Sequence, residues 1–107
     1  MKTFTINGKK YNSKPFDFNL VCDLEDMGVS MQEMGRKRMS VTRAYLALCG
    51  GISIEVAGKE IEQHIVAGGT LEVLNNALND EMENSDFFRT LIKATEEETA
   101  TDPSEEK

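Results

Sequence analysis

The chain contains few of the residues from which catalytic and metal sites are usually built. Its 107 residues include one histidine, His64, and two cysteines, Cys22 and Cys49. It has no CxxC, HxxxH or similar ligand cluster, whereas a zinc site takes three or four such side chains. A catalytic cysteine would need His64 as its base and a third group to orient the ring, and nothing in the spacing requires that. We expect no catalytic residue, no metal site and no cofactor, so the protein is not expected to be an enzyme.

Long apolar runs and a disulfide pattern are also lacking. No apolar run approaches the roughly 20 residues needed to cross a bilayer, and the N-terminal residues do not resemble a signal peptide. Two cysteines do not make the dense framework of a small secreted domain, so we interpret them as small buried hydrophobic side chains in a reducing compartment. The sequence predicts a soluble, intracellular protein without membrane contact.

Acidic residues outnumber basic ones, and most of the excess lies at one end. The net charge of the chain is −7; residues 94–107 carry six acidic residues and one lysine, a net charge of −5, so residues 1–93 carry only −2. The acidic end has too little apolar surface to offset the entropy of ordering it. We predict one globular domain over residues 1–93 and a flexible acidic tail over residues 94–107.

Basic charge is concentrated in Arg36, Lys37 and Arg38, with Arg43 nearby. Nucleic acid binding needs a wider positive field with interleaved aromatic residues, so no nucleic acid partner is expected. The basic triplet is interpreted first as a solvated connection between helices. Two alternatives stay open: a contact with an acidic partner, and a contact with the acidic tail of another subunit.

Residues 2–13 have the pattern of a β-hairpin. Phe4 and Ile6 alternate with polar residues, as in a half-buried strand. Asn7 and Gly8 follow directly, and this dipeptide favours a type I′ turn because both residues tolerate positive φ. A two-stranded hairpin is marginal alone in water, so its apolar face is expected to pack on helices.

Residues 17–93 are predicted to form four or five short helices, because apolar residues recur there at three- and four-residue spacing. The predicted helices are residues 18–27 with Asp17 or Asn19 as the cap, residues 41–48 with Ser40, residues 54–67 with Ser53, residues 71–82 with Thr70, and a last one around Phe87 and Phe88. Residues 29–38 are ambiguous. The predicted fold class is mainly α: a small helical domain with an N-terminal β-hairpin and a disordered acidic C-terminal tail.

Methionines and a short apolar stripe near the end give the chain a candidate surface for an apolar partner. Methionine is flexible and suits surfaces that accept differing apolar segments, although filling gaps in a small core is its commoner role. The last predicted helix serves either the core or a partner helix. The candidate partner-binding residues are Met27, Met31, Met34, Met39, Phe87, Phe88, Leu91 and Ile92.

Two stretches give the chain a resemblance to a known family. Residues 4–11 read Phe-Thr-Ile-Asn-Gly-Lys-x-Tyr and lead into the helical domain. Residues 53–69 read Ser-Ile-Glu-x-Ala-x-x-x-Ile-Glu-x-His-Ile-x-x-Gly-Gly, and Ser-Asp-Phe-Phe at residues 85–88 precedes the acidic tail. Over essentially its whole length the chain resembles the tail assembly chaperones of long-tailed bacteriophages and prophages of Gram-positive hosts.

This resemblance implies a protein without enzymatic activity. Members of the family bind the tape measure protein, keep it soluble and help to recruit tail tube protein during tube polymerisation. They act in the cytoplasm of the bacterial host and are absent from the mature virion. A homo-oligomer and a longer frameshifted form are both left open, and the basic triplet matches no feature of the family. The alternatives are a small intracellular adaptor or antitoxin-like regulatory binding protein, and a structural virion component.

Overall fold

The computed structural model describes the backbone of residues 2–101 and the side chains of residues 2–94. Within that range the chain forms a two-stranded antiparallel hairpin followed by five α-helices, with a short 3₁₀ turn between the first two. The elements are β1 (Thr3–Ile6), β2 (Lys9–Asn12), α1 (Phe18–Asp26), the 3₁₀ turn (Met31–Glu33), α2 (Arg38–Gly50), α3 (Ile54–Val66), α4 (Glu72–Glu83) and α5 (Asp86–Thr101). The predicted mainly helical domain with an N-terminal hairpin is confirmed.

The hairpin has the turn that its sequence predicts. Asn7 and Gly8 have φ values of 54° and 77°, the left-handed conformation that a type I′ turn requires at both positions. Phe4 pairs with Tyr11 across the two strands, and their rings stack with centroids 5.6 Å apart. Phe4, Ile6 and Tyr11 are buried, so this face of the hairpin packs on the helices as expected.

Two of the predicted helix caps are confirmed. The Asp17 side chain accepts a hydrogen bond from the backbone N–H of Leu20 at 2.9 Å, so Asp17 rather than Asn19 caps α1. The Ser53 hydroxyl accepts from the backbone N–H of Val56 at 3.1 Å and caps α3. Each cap satisfies one of the N–H groups that have no partner in the first turn of a helix.

The starts of α2 and α4 differ from the prediction. α2 begins at Arg38, so Ser40 lies inside it, and its N-cap residue Lys37 makes no side-chain cap hydrogen bond. α4 begins at Glu72, and the Thr70 hydroxyl accepts from its N–H only at a long 3.4 Å. The cap rule failed at α2 because the helix begins two residues before Ser40, at the last residue of the basic triplet, and the Lys37 side chain has no atom that could accept a cap hydrogen bond.

α2 is the central helix of the domain. It packs against β2, α1, α3 and α4, so its side chains are buried on more than one face. Its buried residues are Val41, Thr42, Ala44, Tyr45, Leu46 and Ala47. The three- and four-residue spacing that predicted this helix therefore indicates only part of its burial.

Phe16, in the connection between β2 and α1, organises the aromatic part of the core. It is fully buried. Its ring stacks on Tyr45 of α2 with centroids 5.5 Å apart, and it meets Phe88 of α5 edge to face with centroids 4.9 Å apart. The Tyr45 hydroxyl donates to the carbonyl oxygen of Lys14 at 2.7 Å and accepts from the N–H of Lys14 at 2.8 Å. These contacts attach the connection to both helices.

The backbone of α5 continues to Thr101, so the helix enters the segment predicted as an acidic tail. Residues 102–107 lie outside the described residues, as do the side chains from residue 95 onward. The flexibility of residues 94–107 remains a prediction.

Candidate partner-binding surface

The first turn of α5 is attached to the domain through polar and aromatic contacts. The Ser85 hydroxyl donates to the carbonyl oxygen of Phe16 at 2.5 Å and accepts from the N–H of Phe88 at 3.0 Å. The Phe88 side chain is buried against Phe16. The position of α5 is therefore fixed near its start, and its later turns extend from this attachment.

An open groove of about 430 Å³ lies between α4 and α5. Its apolar lining comes from Met82, Phe88 and Ile92, and its charged lining comes from Glu83, Arg89 and Lys93. Met82 and Ile92 are half-buried and pack against the core. We call this the α4–α5 groove. It offers apolar side chains to an incoming helix, with one acidic residue on the α4 side and two basic residues on the α5 side.

A pair of exposed aromatic rings lies at the starts of α1 and α5. The rings of Phe18 and Phe87 meet edge to face with centroids 5.9 Å apart, yet Phe18 is 63% exposed and Phe87 is 38% exposed. Single exposed apolar residues are ordinary, but two large rings in mutual contact make a small continuous apolar surface. Leu91 follows Phe87 by four residues and so lies on the same face of α5.

The candidate residues on α5 therefore divide between two sides of the helix. Phe88 and Ile92 face the α4–α5 groove, whereas Phe87 and Leu91 lie on the side of Phe18. Phe88 is a core residue at 6% exposure. Its side chain forms the floor of the groove, so of the two roles considered for the last helix Phe88 serves the core.

The methionines do not form one surface. Met34 is buried in the core, and Met27 and Met31 are half-buried against it. Of the two roles considered for Met34, the structure shows the commoner one, since its side chain fills part of the core. Met39 is 74% exposed and lies in a different pocket from Met82, the methionine of the α4–α5 groove.

The pocket that contains Met39 has one charged residue in its lining, Arg43. It measures about 210 Å³ and is lined by Met39, Ser40, Thr42, Arg43, Gly58, Ile61 and Leu71. Its rim residue Met39 directly follows the Arg36 to Arg38 triplet at the start of α2. We call the pocket together with the triplet the basic pocket. A Cβ atom on Gly58 would lie 3.3 Å from the Cδ atom of Arg43, so this glycine lets the Arg43 side chain lie close against α3.

His64 joins the hairpin turn to α3 and α4. Its Nδ1 accepts from the backbone N–H of Asn7 at 2.9 Å, and its Nε2 lies 2.9 Å from the carbonyl oxygen of Thr70. Because a carbonyl oxygen can only accept, Nε2 is the ring nitrogen that donates and Nδ1 is the one that accepts. Both ring nitrogens are thus used in holding the fold together.

Glu60 reinforces the same junction. Its carboxylate accepts from the Asn7 side-chain amide at 3.0 Å and pairs with Lys9 at 2.9 Å. The hydrogen bond from Asn7, followed by the one from Lys9, lowers the pKa of Glu60. The turn of the hairpin is therefore held on α3 by one backbone and several side-chain contacts.

Both cysteines are unpaired and half-buried. Burial raises the pKa of the Cys49 thiol to about 11, so this sulfur is in its unreactive thiol form at neutral pH. Residues 2–94 contain no group of three or more metal-ligating side chains. None of the helices in the described part of the chain is both long enough and apolar enough to span a membrane.

Sequence reasoning missed five contributors to the surface, which are Phe18, Met82, Glu83, Arg89 and Lys93. Phe18 lies off the apolar stripe of α1, and that offset is a signal for an exposed aromatic residue. Arg89 and Lys93 follow one another at four-residue spacing on the last helix, which places both on one edge of the groove. Comparisons of the chain with protein-family models, with curated proteins and with solved structures found no match.

Proposed function

We propose that this protein is a phage tail assembly chaperone that binds apolar helical segments of the tape measure protein and makes or breaks no bond. The observation that carries the proposal is the α4–α5 groove, an open apolar surface on an element that is firmly attached to the domain. The resemblance over residues 4–11 and 53–69 supports the same class of protein.

The groove suits one side of an amphipathic helix. Such a helix places apolar side chains at three- and four-residue spacing, and these would cover Met82 and Ile92. Each large apolar side chain that becomes fully buried contributes about 1.5–3 kcal/mol, before the cost of fixing two molecules together is subtracted. A few such contacts give reversible binding, which a chaperone that must release its client needs.

Charge on the groove favours one orientation of the bound helix. Lys93 and Arg89 line the α5 side, and Glu83 lines the α4 side. Arg89 is also held by Asp86 at 2.6 Å. A client helix with acidic residues along one edge and basic residues along the other would fit these two sides.

The acidic residues of the chain explain how the bound client stays dispersed. α5 provides one wall of the groove and then continues toward the acidic segment over residues 94–107. Repulsion between complexes that carry this net charge of −5 opposes their aggregation. Action in the host cytoplasm, help in recruiting tail tube protein and absence from the mature virion belong to the same proposal.

Co-expression with a phage tape measure protein tests the proposal. We expect the wild-type chain to keep that protein soluble and to co-purify with it. Ile92→Asp places a charge in the groove and should abolish both effects. Val56→Asp is the matched control, because Val56 is 44% exposed and lies on α3, which does not line the groove.

Thermal unfolding of both variants shows that each is folded. A client that stays insoluble with the wild-type chain contradicts the proposed function. Equal losses with Ile92→Asp and Val56→Asp contradict the assignment of the groove as the binding surface.

A further inference from the structure

The basic pocket concentrates positive charge in an acidic protein. Residues 34–54 contain four basic residues and no acidic one. Glu33 partly neutralises the triplet, since it lies 3.7 Å from Arg36 and 3.2 Å from Lys37. Among the described residues, Arg38 and Arg43 have no ion-pair partner, and both are exposed.

The pocket also offers apolar contact beside this charge. Met39 is 74% exposed, and Ile61 and Leu71 form part of the pocket behind it. An occupant would therefore be acidic overall, with small apolar groups between its charges. Residues 94–107 read ATEEETATDPSEEK and have this composition, with six acidic residues separated by alanine, threonine and proline.

The course of α5 favours contact between chains over contact within one chain. α5 is held near Phe88 by Phe16 and Ser85. A continuous helix rises about 1.5 Å per residue, so Thr101 lies roughly 20 Å along the axis from Phe88. The molecule is correspondingly elongated, with extents of 53 × 23 × 22 Å. The helix thus carries the first acidic residues of the segment away from the attachment point.

We propose that the basic pocket of one molecule binds the acidic segment over residues 94–107 of a second copy, so that the chain associates with itself. Reciprocal exchange of two such segments gives a closed dimer, and exchange in one direction gives a ring or a filament. The proposal does not depend on tape measure binding, because it concerns the purified chain alone.

The interaction should be weak and strongly dependent on salt. Exposed ion pairs contribute little individually, so several must act together, and dissolved ions screen them at separations beyond the Debye length. We expect self-association that weakens at least about tenfold when the salt concentration rises from about 0.05 M to about 0.5 M.

Charge reversal on each side, followed by mixing, tests the pairing directly. The first variant, Arg38→Glu with Arg43→Glu, reverses the pocket and keeps the acidic segment. The second, Glu96→Lys with Glu97→Lys and Glu98→Lys, reverses the segment and keeps the pocket. A control variant, Lys10→Glu with Lys14→Glu, changes the same number of exposed basic residues on and beside the hairpin, away from the basic pocket. Sedimentation velocity over a range of protein concentrations measures association, and circular dichroism verifies folding.

We expect each of the two reversed variants to associate at least about tenfold more weakly than wild type by itself. An equimolar mixture should restore association, because each pocket then meets a segment of opposite charge. The control should associate like wild type. The proposal is overturned if the wild-type chain is monomeric at every concentration, if the pocket variant associates as well as the control, or if mixing restores nothing.

Discussion

The two adjacent phenylalanines of α5 should respond very differently to the same substitution. Phe88 is 6% exposed and packs edge to face with Phe16. Phe87 is 38% exposed and meets Phe18, which is itself mostly in water. Replacing each by alanine therefore compares a core residue with a surface residue on one turn of one helix.

The structure gives the size of each effect. Phe88→Ala removes a ring that fills the space between α5 and Phe16, and Phe→Ala in a core costs about 3–5 kcal/mol. Phe87→Ala loses one exposed aromatic contact, and such pairs contribute about 0.5–1.5 kcal/mol. A domain of this size is stable by about 5–15 kcal/mol, so only the first change removes a large part of the total.

Urea unfolding followed by circular dichroism measures both free energies of unfolding. With a slope of about 1–3 kcal/mol per molar urea, Phe88→Ala should lower the midpoint by at least about 1 M, whereas Phe87→Ala should move it much less. In the co-expression assay, Phe87→Ala reports on partner contact without unfolding the domain. Equal losses of stability in the two variants would refute the division of α5 into a core side and a surface side.

Three further substitutions test other parts of the structure. The pKa of Glu60 is lowered from its ordinary value of 4.5, so its contribution to stability is complete above pH 4.5 and is lost as the pH falls through the pKa of the folded state. Glu60→Gln should therefore flatten the loss of thermal stability below about pH 4.5. An unchanged pH profile would count against the Asn7 and Lys9 contacts. Gly8→Ala should cost about 1 kcal/mol of stability, because φ is 77° at this glycine. Gly35→Ala is the control and should cost little, because Gly35 has no positive φ and nothing lies near its added Cβ atom. Equal unfolding midpoints for the two variants would contradict the type I′ turn. Tyr45→Phe removes both hydrogen bonds to the Lys14 backbone and should lower the free energy of unfolding by about 1–2 kcal/mol. A free energy of unfolding equal to that of wild type would show that water replaces these two hydrogen bonds.

Local signals in the sequence were sufficient to predict the hairpin and the starts of two helices. Asn7 and Gly8 specify their turn through backbone conformation alone, and Asp17 and Ser53 satisfy N–H groups only three residues away. Each of these depends on contacts within a few residues, which is the range that a sequence pattern reports.

Features that depend on packing between distant elements were not predictable in the same way. Phe16 lies in a connection without periodicity, yet it is fully buried between α2 and α5. The burial of α2 on several faces follows from its position at the centre, and no repeat in its sequence indicates it. The separation of Phe87 from Phe88 depends on where α5 meets α4, so the apolar stripe alone could not assign them to different sides.

The central claim is that the α4–α5 groove binds the partner helix. The methionine methyl groups can test this claim, because they lie in different parts of the molecule. Met82 lies in the groove, Met34 in the core and Met39 in the basic pocket. Nuclear magnetic resonance of the chain labelled with ¹³C at its methionine methyl groups, alone and in the co-purified complex with the tape measure protein, distinguishes these positions. The account predicts a large shift or broadening for Met82, with Met34 and Met39 nearly unchanged. A Met82 signal that stays in place while Met39 shifts would contradict it.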